Sequence, residues 1–112
     1  MKQRSNYVFF ETLSTKLRVD IIDSLTDGPK SVAEICETVR EDQSKVSHSL
    51  KKLKDCHFLN VSQDGKKRIY SLNQDTIVPL LKQVEKHVSK YCSAFCKNRE
   101  LKGVACQNEN LS

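Results

Sequence analysis

Asp64-Gly65 separates two β-prone runs, Phe58, Leu59 and Val61 before it and Ile69, Tyr70 and Leu72 after it, in a chain whose other periodic segments repeat at helical spacing. Asp-Gly in that setting predicts a hairpin, because glycine supplies the positive φ that a tight turn demands. The chain therefore reads as mainly α with one small β-hairpin, an α+β fold of about five helices.

The helices follow from period and caps. Residues 5–13 are apolar enough to need a partner surface, and Leu17, Ile21 and Leu25 with Ile22 mark a second helix that Gly28-Pro29 ends. Ser31 and Glu34 form a capping box ahead of Val32, Ile35, Cys36 and Val39. Asp42 is placed to cap a fourth helix with the buried stripe Val46, Leu50 and Leu53. The outer face of that helix, Ser44, Lys45, Ser47, His48, Ser49, Lys51 and Lys52, combines small hydroxyls with cations. Two short helices joined by a tight polar turn, the second basic, predict a helix-turn-helix. The hairpin then adds a wing bearing Lys66, Lys67 and Arg68.

The last periodic segment carries Ile77, Leu80, Leu81, Val84, Val88, Tyr91 and Phe95, with Asn73 or Asp75 as its cap and Pro79 in its first turn. A helix of roughly 20 residues ending so small a domain exceeds what the domain can cover. Val84, Val88, Tyr91 and Phe95, together with Tyr7, Phe9 and Phe10, therefore predict a homodimer through the first and last helices. A length of 112 residues suits one domain, expected over 1–97, with a polar, flexible tail over 98–112.

Charge narrows the function. The chain carries +5 overall, yet residues 1–42 hold 6 basic and 8 acidic groups, 43–70 hold 7 and 2, and 71–112 hold 6 and 4. A basic surface confined to the helix-turn-helix and wing suits double-stranded DNA, because neutralised phosphates release counterions. No apolar run approaches the roughly 18 residues of a membrane span, and the start shows no secretory pattern, so the expected location is cytoplasmic, without membrane contact. Five cysteines there read as free thiols, metal ligands or redox groups. Only 3 glycines, no phosphate-cradling loop and no His-Glu-x-x-His argue against an enzyme.

Four runs resemble the ArsR/SmtB family of winged-helix regulators. Leu13-Ser14-Thr15-Lys16-Leu17-Arg18-Val19-Asp20-Ile21-Ile22 is similar to its LSxPxRLxIL opening, and Ser31-Val32-Ala33-Glu34-Ile35 to its SVxEL helix. Gln43-Ser44-Lys45-Val46-Ser47-His48-Ser49-Leu50 resembles its recognition helix, and Gly65-Lys66-Lys67-Arg68-Ile69-Tyr70-Ser71-Leu72 its wing. His48-Ser49 stands where Arg-His is usual, and Thr15-Lys16 where Asp-Pro is common. The resemblance implies a homodimeric DNA-binding transcription factor, usually a repressor released by an inducer. Gln43, Ser44, Ser47 and His48 would then face bases, and Lys45, Lys51, Lys52, Lys66, Lys67 and Arg68 would complete the DNA-binding surface.

The family's inducer sites carry over poorly. The metalloid-sensing Cys-x-Cys positions read Ser31 and Ala33, and of the zinc-sensing positions Gln74, Thr76, His87 and Lys90, only His87 is a ligand type. Cys36 lies on an apolar stripe, as a small buried hydrophobe would. Cys56 resembles a thiolate position of some cadmium- and lead-sensing members, but its companion position is Lys52. His57 reads as a cap for the end of the fourth helix.

Cys92 and Cys96 lie one turn apart, about 40° around an α-helix, and Cys106 follows in the tail. Three thiolates suit As(III), Cd(II) or Pb(II), or a thiol-to-disulfide switch. No resident cofactor is required. The alternative to an inducible repressor is a winged-helix protein without metal sensing, architectural or constitutive. A winged helix used for protein contacts would leave the lysines dispensable.

Overall fold

The computed structural model describes residues 3–92, with side chains over 6–91. Phe95, Cys96, Cys106 and the tail 98–112 lie outside the described residues, as does the side chain of Cys92. The elements run α1 (Gln3–Thr12), α2 (Lys16–Ser24), β1 (Lys30–Ser31), α3 (Val32–Val39), α4 (Gln43–Asp55), β2 (Leu59–Asp64), β3 (Lys67–Leu72) and α5 (Ile77–His87). A π-helical turn over Val88–Cys92 follows α5. The chain divides into two compact units at Asn73 and Gln74.

In the first unit α2, α3 and α4 pack on one another, and the sheet lies against α3 and α4. Their shared core is Ile21, Ile22, Leu25, Ile35, Val46, Leu50 and Leu53, closed by Phe58, Leu59, Tyr70 and Leu72. Ser49, grouped by sequence with the outer face of α4, is buried instead. It completes a stripe with Val46, Leu50 and Leu53, whose spacing puts all four on one side of the helix.

The predicted Ser31–Glu34 box and Asp42 cap form, and Thr15 adds a cap not expected from the sequence. Thr15 accepts from the Arg18 backbone N–H at 3.3 Å to start α2. Ser31 accepts from the Glu34 N–H at 3.3 Å, while the Glu34 carboxylate accepts from the Ser31 N–H at 2.8 Å. Asp42 accepts from the Lys45 N–H at 2.9 Å. Between α3 and α4 the chain turns through Arg40 at φ 60, whose N–H donates to the Cys36 carbonyl at 2.8 Å.

The end of α4 is closed by the backbone, not by an imidazole. His57 sits at φ 63, its N–H donates to the Lys54 carbonyl at 2.9 Å, and the Phe58 N–H donates to the Leu53 carbonyl at 2.9 Å. This is the Schellman pattern with histidine where glycine is usual.

The sheet has order β1-β3-β2 and is antiparallel throughout. Leu59 pairs with Leu72 and Asp64 with Lys67, so the two central turn residues are Gly65 and Lys66, one place later than the Asp-Gly pair suggests. Gly65 alone takes positive φ, 64, at the first central position, as a II′-type turn requires. β1, with Lys30 opposite Tyr70 and Ser31 opposite Ile69, has no signature in the sequence.

The second unit is α5 with its π-helical extension. The N-cap position falls on Thr76 in place of Asn73 or Asp75, leaving Pro79 in the first turn, where its missing N–H costs no helical bond. The continuous α-helix expected from the apolar period ends at His87. Among the described residues no helix is long and apolar enough to cross a membrane.

Candidate nucleic-acid interface

Burying Val46, Ser49, Leu50 and Leu53 turns the opposite side of α4 outward, with Gln43, Ser44, Lys45, Ser47, His48 and Lys51 exposed and Lys52 half-buried. The wing residues Lys66, Lys67 and Arg68 are exposed as well. They are brought to α4 by tertiary structure: Gln43, Ser47, Lys51 and Lys54 line a groove of about 430 Å³ together with Arg68 and Tyr70 of β3. Beside it, Lys66, Lys67 and Arg68 face Gln43 and the first residues of α3 across a second groove. One continuous basic surface thus runs from the middle of α4 to the wing tip.

Two acids that the composition of the helix face did not reveal are drawn into this surface. Asp55 accepts from Lys51 Nζ at 2.9 Å, and Glu41 lies 3.7 Å from Lys45 Nζ. The Lys51 ammonium holds the Asp55 carboxyl below its usual range. Both pairs are exposed i,i+4 contacts and are worth little by themselves, so these lysines exchange partners at small cost. Lys54 and Tyr70 were also missed from sequence, because only the return of β3 beside α4 makes them part of the groove.

Glu34 links the wing to the helix-turn-helix electrostatically. Hydrogen bonding from the Ser31 backbone and hydroxyl, with the charge of Lys67 and Lys30 nearby, holds its carboxyl below the ordinary value of 4.5. Lys30 Nζ meanwhile donates to the Ser24 carbonyl, where a cation suits the last turn of α2.

The model of the bacterial regulatory proteins of the arsR family matches residues 15–61, from the N-cap of α2 into β2. The chain thus resembles the arsR family across its whole helix-turn-helix. It is similar to the HTH-type transcriptional regulator NmtR of Mycobacterium tuberculosis, 30% identical over 77 residues, or 69% of this chain. That alignment spans 64% of NmtR, just under two thirds of its length. It is also similar to the arsenical resistance operon repressor of Staphylococcus aureus, 24% identical over 88% of this chain and 94% of that one. The crystal structure of Mycobacterium tuberculosis Rv0081 superposes with a TM-score of 0.74 at 27% identity, covering 81% of this chain and 92% of that one. The matching family model is one of bacterial regulatory proteins, and the fold is a winged helix-turn-helix.

The remaining arsR-family expectations fall on other parts of the chain. Tyr7 and Phe10 of α1 are each 67% exposed, and Val84 and Tyr91 are 48% and 63% exposed. Phe9 differs from its neighbours: its ring stacks on Phe58 at 5.0 Å. Val88 is half-buried. Cys36 and Cys56 are free and half-buried. Among the described residues no three His, Cys, Asp or Glu side chains are placed to hold a metal ion.

Proposed function

We propose that this chain is a homodimeric, sequence-specific DNA-binding repressor whose α4 enters the major groove. The observation that carries this reading is the division of α4 into a fully buried apolar stripe and a hydroxyl- and cation-rich outer face continuous with the wing. Gln43, Ser44, Ser47 and His48 would meet base edges, where a good bidentate contact discriminates by about 1–3 kcal/mol. Lys45, Lys51, Lys52, Lys66, Lys67 and Arg68 would neutralise phosphates.

The homodimer would form through α1 and the terminal helix, where Tyr7, Phe10, Val84 and Tyr91 leave large apolar surfaces uncovered. Val88 and Phe95 belong to the same expected interface, whereas Phe9 turns inward onto Phe58. A two-fold pair of α4 helices would read half-sites one DNA turn, roughly 34 Å, apart.

The inducer reading rests on Cys92, Cys96 and Cys106, with As(III), Cd(II) or Pb(II), or oxidation of the thiols, as the releasing event. The Staphylococcus aureus relative, an arsenical resistance operon repressor, supports that class. Binding there would change the spacing of the two α4 helices and thereby release the operator.

The test is fluorescence anisotropy of the reduced protein on its own upstream DNA against a scrambled duplex, followed by separate additions of As(III), Cd(II), Pb(II) and an oxidant. The expected result is a preference of roughly 10³ or more, lost on one addition. A variant with Cys92, Cys96 and Cys106 all changed to Ser should keep the preference and lose the response. Equal binding of both duplexes, indifferent to every addition, would favour the architectural alternative.

A further inference from the structure

A helix lying in a major groove has a sugar-phosphate backbone on each side, and the wing serves only one flank of α4. Gln43, Ser47, Lys51 and Lys54 share the wing-side groove. Ser44, Lys45, His48 and Ser49 instead line a separate groove of about 450 Å³ whose far wall is Thr15, Leu17 and Arg18 of α2. At 100° per residue the centres of the two sets lie roughly 130° apart around α4. The second groove therefore faces away from the wing.

Its chemistry suits a phosphodiester. Arg18 and Lys45 supply charge from two different helices, Thr15 and Ser44 supply hydroxyls, and none of the described lining residues is acidic. Glu41, whose carboxylate lies 3.7 Å from Lys45 Nζ, is not among the described residues lining the groove. Arg18 is also held in place: one Nη donates to the Thr12 carbonyl at 3.3 Å, which anchors the fork while a guanidinium carries further donors.

We propose that Arg18, with Thr15 and Lys45, forms a second backbone-phosphate site, so that each protomer grips both strands bordering the major groove. The inference rests on the DNA-binding reading above and extends it to α2. It assigns Arg18 a sequence-independent role, because a phosphate contact positions the protein without reading bases.

The experiment measures duplex affinity of the full chain across a salt series, on a preferred and a scrambled duplex. For Arg18→Gln the slope of log affinity against log salt should fall by about 0.9, the value for one lost phosphate. Affinity should weaken to the same extent on both duplexes, and Arg18→Lys should restore most of the slope. Thr15→Asp keeps an N-cap oxygen for α2 and places a carboxylate in the groove, so it should fold and bind every duplex more weakly. It decides the matter if Arg18→Gln does not fold. Wild-type slope in Arg18→Gln together with wild-type affinity in Thr15→Asp would overturn the inference and leave the DNA-binding reading intact. Absence of salt-dependent duplex binding by the unmodified protein would overturn both.

Discussion

Thr12 Oγ1 lies 3.4 Å from Cys56 Sγ, joining the last residue of α1 to the residue that closes α4. Thr12 is fully buried and already donates its hydroxyl hydrogen to the Val8 carbonyl at 2.8 Å. The Cys56 thiol must therefore be the donor in this contact, since a threonine hydroxyl has one hydrogen. Through it the helix expected to build the interface is tied to the helix expected to read DNA.

Thr12→Val keeps the shape and removes both bonds, so it should destabilise the fold by about 1 kcal/mol. A double-mutant cycle with Cys56→Ala, followed by urea unfolding, should return a coupling of about 0.5 kcal/mol. Strict additivity would reduce the contact to packing.

His57 holds φ 63 only because the Schellman bonds require a left-handed residue there. Its carbonyl also accepts from Asn73 Nδ2 at 2.9 Å, a bond that any residue at position 57 retains. His57→Gly should therefore stabilise the domain by about 0.5 kcal/mol, the relief of the left-handed strain less the entropy that glycine loses. The urea midpoint should rise with no change in m-value.

The Glu34 carboxyl titrates below 4.5, chiefly because the Ser31 backbone donates to its charged form. A folded-state value below the unfolded one means that stability is present above 4.5 and is lost as pH falls through the lower folded value. Glu34→Ala should lower the melting temperature at neutral pH, and its difference from the unmodified protein should shrink as the medium is acidified below 4.5. A gap that persists unchanged in strong acid would show that the capping carboxylate carries no pH-linked stability.

On the wing, Lys67→Gln combined with Arg68→Gln should reduce the salt slope of duplex binding by about 1.8, with equal losses on preferred and scrambled DNA. Gln43→Ala should behave differently and weaken only the preferred duplex. Equal losses on both duplexes for Gln43→Ala would remove it from base reading.

Phe10→Asp places a charge where a 67% exposed ring now stands, and Tyr7 beside it is equally exposed. Sedimentation equilibrium should find this variant monomeric, with helical circular dichroism retained because Phe10 is not among the core side chains. A dimer that survives the substitution would move the interface away from α1.

What could be read from the chain alone was local. The Ser31–Glu34 box, the Asp42 cap and the Val46, Leu50, Leu53 stripe each involve residues three or four apart, so short-range geometry determines them. The basic surface was legible for the same reason, since its residues are neighbours on one helix and one hairpin.

Tertiary structure decided what depends on distant partners. Lys30 and Ser31 have no period of their own and become a strand because Tyr70 and Ile69 lie opposite. Phe9 turns inward because Phe58 offers a ring to stack on, and Ser49 is buried because the stripe of α4 is wider than its apolar residues. Arg18 meets Lys45 across a groove only because α2 packs on α4. Pattern along the sequence records which face of a segment is buried, whereas contacts between segments far apart in the chain follow from how those faces are packed together.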